Sequence, residues 1–354
     1  MNKEQSWAQQ LLRSERYARM IEKLFQEAIK EASYSVYPIN VNPDKAFNID
    51  DYPALKDRFD RFFAKIVRDM RMVIITGVQR EWENANAEND GLVDEVLKTL
   101  DLSKEVVSKY KTRNLDSLAT FQGRKTAGMN LSDRVWKLTK QFKQELELAI
   151  DVGLGESKSA AELSRVVRQY LNEPNKLFRR VRDKRGQLQL SKAARAYNPG
   201  KGVYRSSYMN AMRLTRTEIN MAYRDADYQR WQDLDFIVGF EVKRSNNKVA
   251  CDLCDAFVGR YPKTYKFIGN HPHCRCVCTP ILASKGEIEK HFDDILSGKE
   301  SEITSAYEVK QMPKGWQDWI KDNKQRVVKM ANQPYFIKDN FKGGTITGGL
   351  KFTR

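Results

Sequence analysis

"CDLCDAFVGRYPKTYKFIGNHPHCRC", residues 251–276, decides how the chain is read. The 354 residues include five cysteines and three histidines, and this stretch with the next two residues holds all five cysteines and two of the histidines. Cys251 and Cys254 form a C-x-x-C pair, and His271 and Cys274 repeat that spacing as H-x-x-C after sixteen intervening residues. A structural zinc ion takes four nitrogen or sulfur ligands in a tetrahedron, usually as two short-spaced pairs on separate turns. Residues 251–278 therefore read as a metal knuckle. Cys274, Cys276 and Cys278 alternate, and on a strand they would share one side. Cys276 is thus an alternative to His271 or Cys274, and His273 a weaker one.

Two other readings of the cysteines remain. Thioredoxin-type chemistry places its C-x-x-C at a helix start within a βαβ unit, and no such pattern follows here. Unliganded cysteines also pack as small buried hydrophobes. A hydrolytic zinc would need an open coordination position and a nearby base. This loop is crowded with donors, and the chain has no H-E-x-x-H or H-x-E. The expectation is a structural Zn2+ and no enzyme activity. A ββα-metal nuclease would require His291 to act with further His or Asn ligands that the sequence does not supply.

Working outward, the composition is 41% hydrophobic and 31% charged, with a net charge of +16. That charge points to an acidic partner, nucleic acid first and an acidic protein surface next. The start, "MNKEQSWAQQ", shows no secretory pattern, and the longest apolar stretch, "MVIITGV" (72–78), is far short of the roughly 20 residues of a spanning helix. An odd number of cysteines in a reducing compartment favours ligands over disulfides.

Residues 1–154 carry helical periodicity in "WAQQLLRSERYARMIEKLFQEAIKEAS", "PALKDRFDRFFAKIVRDMRMVIITGV" and "LSDRVWKLTKQFKQELELAI", with loops expected at Pro38–Pro43 and at "NANAENDG" (84–91). Ser159 and Glu162 have capping-box spacing for a helix ending before Pro174. Residues 176–205 contain ten Lys or Arg against one acid, Asp183, and read as a basic hairpin turning at Arg185–Gly186. Arg179, Arg180, Arg182, Lys184, Arg185, Lys192 and Arg195 are its candidate contacts to DNA phosphates or an acidic partner. A solvated basic face is the plainer alternative.

A long helix covers about 206–235 with Arg216, Thr217 and Glu218 midway, residues that pattern alone places at the surface. The strand "IVGFEVKR" leads into the knuckle. Residues 283–354 promise two helices, the second with Trp316 and Trp319 packing into a core, and a glycine-rich end, "FKGGTITGGLKFTR", that is extended or mobile. The fold class expected is mainly α, with a helical N-terminal scaffold and a small α+β zinc-knuckle domain.

Between about 155 and 282 the chain resembles the phage Mu F-like minor head proteins, also called phage head morphogenesis proteins. The resemblance rests on "RLTRTEINMAYRDADYQRW" (213–231), then a strand, "CDLCDAFVG", and "HPHCRC" closing before "TPI". The family motif falls on Arg216, Thr217, Glu218, Cys251, Cys254, His271, Pro272, Cys274, Arg275 and Cys276; Cys278 departs from it. The resemblance implies a domain at 155–282 and a low-copy virion protein at the portal vertex of the phage head, present in the host cytoplasm during assembly. Its implied partners are the portal protein and, during packaging or ejection, double-stranded DNA. A zinc-dependent nucleic-acid-binding protein is the competing class.

Overall fold

The structure, a computed structural model, describes residues 3–36, 47–100, 102–155, 159–172, 180–182, 188–190, 206–245 and 251–351. It is mainly helical with a small three-stranded antiparallel sheet. The principal helices are α1 (Lys3–Val36), α2 (Pro53–Leu97), α3 (Lys104–Lys109), α4 (Leu115–Gly123), α5 (Leu131–Gly155) and α6 (Ala160–Asn172). Strands β1 (Arg180–Arg182) and β2 (Leu188–Leu190) pair antiparallel, Val181 opposite Gln189, as the hairpin reading requires. Its turn at 185–186 and Arg179, Lys184, Arg185, Lys192 and Arg195 lie outside the described residues, as does the loop expected at Pro38–Pro43.

The loop expected at 84–91 is not there: α2 runs through it. Asparagines weaken helices by competing for backbone groups. Here Asn86 donates to the Trp82 carbonyl at 2.9 Å and Asn89 to that of Ala85 at 2.8 Å, both four residues back. Buried Ala85 and Val93 on the same helix supply the apolar contacts. Packing and bonded amide N–H groups override local propensity. The Ser159–Glu162 capping box is present, with Ser159 N–H to Glu162 at 2.9 Å and Glu162 N–H to the Ser159 hydroxyl at 3.3 Å.

The chain forms two compact units that do not follow the linear division read from sequence. One unit, named the knuckle unit after the cysteine stretch read above as a knuckle, comprises Met1–Ser14, Thr76–Gly123 and Thr217–Arg354; a basic unit comprises Glu15–Ile75 and Arg124–Arg216. Helices α1, α2 and α7 (Ser207–Gln232) each contribute residues to both. The charge divides sharply. The basic unit carries 32 Lys and Arg against 18 Asp and Glu, hence +14, and the knuckle unit 30 against 28, hence +2.

The basic unit is held by aromatic packing of Phe25 on Phe142 (4.7 Å between ring centres), Phe25 on Tyr208, and Phe59, Phe62 and Phe63 on one another. Buried Glu145 accepts from the backbone N–H and the hydroxyl of Ser207 at the start of α7, a favourable place for a carboxylate at the positive end of a helix.

In the knuckle unit, β3 (Ile237–Lys243) is central, between β4 (Gly259–Tyr261) and β5 (Val277–Leu282). Val242 stands opposite Cys278, and Phe240 opposite Tyr261. The short helix α8 (Asp252–Ala256) carries Cys254, and α9 (Lys285–Leu296), α10 (Lys314–Val328) and α11 (Tyr335–Asn340) follow the sheet. Trp316 is buried, as the amphipathic pattern requires; its indole N–H donates to the Tyr265 hydroxyl at 3.2 Å. Phe257 packs against Trp316, Trp319 and Phe336. Up to residue 351 the glycine-rich end is neither extended nor detached, and 352–354 lie outside the described residues. Residues 342–344 and 346–348 form 3-10 turns, Phe341 bridges to Leu350, and Phe341 and Ile346 are buried in the core. Asn340 clamps the Lys266 backbone from both sides, accepting its N–H at 2.6 Å and donating to its carbonyl at 2.9 Å.

Lys3 reaches into this unit from the other end of the sequence. Its ammonium lies 2.8 Å from Asp227, 3.2 Å from the Tyr223 hydroxyl and 3.4 Å from Glu88. Burial works against that charge, but the surrounding Asp227, Tyr223 and Glu88 outweigh it and hold the ammonium above its ordinary range.

Candidate metal centre

Two short turns bring the soft donors together. In the first, Cys251 precedes α8 and Cys254 lies within it. The Asp255 N–H donates to the Cys251 carbonyl at 2.9 Å, so the backbone curls and both sulfurs face inward. In the second, the Cys274 N–H closes a turn onto the His271 carbonyl at 3.1 Å. That turn requires a left-handed residue, supplied by His273 with φ +58°, one of the few non-glycine types that visit this region with any frequency.

The His271 Nε2 atom lies 3.3 Å from the Cys251 sulfur and 3.2 Å from that of Cys254; the Cys254 and Cys274 sulfurs are 3.8 Å apart. Around one tetrahedral zinc these separations would be about 3.5 Å for N to S and about 3.8 Å for S to S. His271 Nδ1 sits 2.9 Å from the Pro272 carbonyl. Its proton therefore belongs on Nδ1, and the Nε2 lone pair faces the sulfurs, the orientation a ligating imidazole needs. Cys276 closes a second group with Cys254 and Cys274, all ligand atoms within 4.8 Å. It does so from the loop before β5 and not from a strand face: only Cys278 of the alternating trio lies on the strand. All five cysteines are free thiols, and four are buried, Cys251 half so. This cluster can bind a metal ion.

The side chain that fixes the second turn is Arg224. Its Nη2 donates to the carbonyls of Cys274 and Cys276 at 2.8 and 2.9 Å, and its Nη1 to that of Ile268 at 3.2 Å. The guanidinium is buried, 4.5 Å from the centre of the Trp7 ring and 5.4 Å from that of Phe267. Gly269 makes room: at φ +121°, any Cβ there would lie 2.7 Å from Arg224 Nη1. Thr217, one heptad earlier on the same helix, accepts the His273 N–H at 3.0 Å and anchors the left-handed residue. Trp7 donates from its indole to the Arg275 carbonyl at 3.2 Å.

Electrostatics distinguish the thiols. The hydrogen bond from Cys254, with Arg224 and His271 nearby, holds Cys274 well below the ordinary thiol range. Hydrogen bonds with Cys254 and Cys274, then burial, push Cys276 up, and burial first of all, with Asp227 and Cys274 adding to it, raises Cys278. Cys278 pairs with Val242 in the sheet and belongs to neither ligand group.

The other motif residues separate. Arg216 forms a two-pronged ion pair with Glu15 at 2.9 and 2.8 Å in the basic unit. Thr217 and Glu218 are buried, not on the surface where the pattern put them, because this helix is covered along its length in the knuckle unit. Arg275 turns its Nε toward the His273 ring at 3.3 Å. His291 is buried on α9, with Nδ1 3.1 Å from the Ser301 hydroxyl, and it belongs to neither ligand group among the described residues. Arg180 and Arg182 lie on β1. Sequence reading missed Arg224, although its heptad spacing from Thr217 and onward to Trp231 marks one stripe of the helix.

Comparison with family models, with curated proteins and with solved structures finds no match to this chain.

Proposed function

We propose that the cluster holds one Zn2+ through Cys251, Cys254, His271 and Cys274, with Cys276 a spare donor, and that the ion is a structural staple in a phage minor head protein. The observation that carries the metal is the convergence of two thiols on an imidazole nitrogen whose other nitrogen is already committed to a carbonyl. Three thiols and one imidazole are the donors of closed zinc sites. When bound, the ion contributes folding free energy. The chain's own residues orient it: Arg224 and Thr217 fix the second turn, and Phe257 seats the first against Trp316 and Trp319.

The head-protein reading is supported by the way one helix serves the knuckle. The residues that carry the family resemblance are separate in sequence, yet Thr217 and Arg224 reach the "HPHCRC" turn directly. In this reading the protein joins the portal vertex in few copies and turns its basic unit toward packaged DNA or an acidic portal surface. The concentration of +14 in one unit also favours the second reading, a zinc protein that binds nucleic acid by itself.

Elemental analysis of the purified full chain tests the metal: about one zinc per chain is expected, falling steeply in Cys254→Ser. A metal-free, fully folded wild-type protein would overturn the staple. Purified particles test the role. A few copies co-purifying with a portal ring support it, and absence from particles excludes it. Duplex affinity of the isolated chain that collapses with salt would favour the second reading.

A further inference from the structure

The basic unit carries a groove of about 620 Å³ between α2 and α5, lined by Asp60, Phe63, Ala64, Val67, Trp136, Thr139, Lys140 and Lys143. Its floor is apolar and its rim cationic. Trp136 is 59% exposed, an uncommon position for the largest apolar side chain. Lys140 stands 5.6 Å over the indole ring. Lys143 is already paired with Asp50 at 3.0 Å. Lys137 and Lys140 have no carboxylate partner among the described residues and flank Trp136 on the exposed side of α5.

We propose that this groove docks an acidic amphipathic helix of a partner protein, with Trp136 as the anchor and Lys137 and Lys140 as the charges that select it. The charge complementarity is on two scales. Locally the Lys140 ammonium lies over the indole with exposed Lys137 next to Trp136 in the chain, and the unit as a whole carries +14. A nucleic-acid strand is the poorer occupant. The floor of Phe63, Ala64 and Val67 offers phosphates nothing, whereas it suits apolar side chains. A helix instead places apolar residues at i, i+3/i+4 and i+7 into such a groove while its acidic flanks meet the lysines. The volume lies within the range of sites that bury a few side chains. This proposal does not depend on the metal.

The test selects a displayed library of random 16-residue peptides against the full zinc-loaded chain, with Trp136→Ala as counter-selection. Binders with helically spaced apolar residues and Asp or Glu flanks are expected, quenching Trp136 fluorescence on binding. Trp136→Ala should weaken the best of them by at least tenfold. Lys137→Glu with Lys140→Glu should weaken acidic peptides by a similar factor and improve their Lys-substituted counterparts. The exposed positions make misfolding avoidable, and circular dichroism checks it. No enrichment over Trp136→Ala, selection of uncharged or basic peptides, or displacement by a single-stranded oligonucleotide at equal concentration would each overturn the proposal.

Discussion

The two units solve opposite problems. The knuckle unit is nearly neutral and sets polar and ionic groups beside its aromatic core: Arg224, Arg230, Asp225 and Asp227 are all buried. The basic unit packs tilted and edge-on phenylalanines in its interior and carries +14. Buried charge is costly unless every partner is in place, and removing one partner exposes that cost. The contrast teaches that single substitutions should act over a long range in the knuckle unit and locally in the basic one.

The largest expected effect is chelation, which breaks the comparison if it is wrong. Structural zinc contributes on the order of 10 kcal/mol in small metal-dependent folds. Stripping the ion should abolish hydrogen-exchange protection across 251–282 and in α10, while α5 and residues 15–36 stay protected. Equal loss in both units would show that they are not separate in stability. Next comes Arg224→Met, which leaves the carbonyls of Ile268, Cys274 and Cys276 unpaired. At about 1–3 kcal/mol for each buried unsatisfied group, the cost should be about 3 kcal/mol or more. Zinc affinity, read by competition with a chromogenic chelator, should fall about 10–100-fold, as for other residues supporting metal ligands. Arg216→Ala sharpens the contrast. Its partner is Glu15, in the basic unit and partly exposed, so about 0–1 kcal/mol of stability and no metal affinity should be lost.

The smallest effect is a pH signature. Hydrogen bonds from the Ser305 hydroxyl, and then from Ser284, lower the Glu287 carboxyl from its ordinary 4.5 to about 2. A carboxyl with a depressed folded pKa stabilises above its ordinary range and loses that contribution as pH falls through the folded value. The stability gap between wild type and Glu287→Gln, measured by urea denaturation, should be open at pH 7, narrow below about 4.5 and close near 2.

What the sequence made legible is local. The two pairs of thiol and imidazole donors that converge, the Ser159–Glu162 cap, the strand through Val238, Phe240 and Val242, and the burial of Trp316 all follow from spacings of a few residues. What escaped depends on distant partners. Asn84, Asn86 and Asn89 read as a loop until their side-chain N–H groups are seen bonded within a packed helix. Arg224 looks like any surface arginine until three carbonyls from residues some fifty positions away surround it. The glycine-rich end reads as loose because its own side chains are few, and it is held by Asn340 and by core contacts of Phe341 and Ile346. The unit boundaries were out of reach for the same reason, since helices continuous in sequence are divided between two cores.

Neither core is a continuous stretch of chain, and this bears on synthesis. Lys3 meets Asp227 across 224 positions, and at about 5–20 residues per second the ribosome needs roughly 10–45 s to supply the second after the first. During that interval the opening helix, with Trp7 and Gln10 destined for burial, has no finished seat. The nascent chain must either be shielded or wait as a bare amphipathic rod. Truncation at any single point would leave one core without its founding segment.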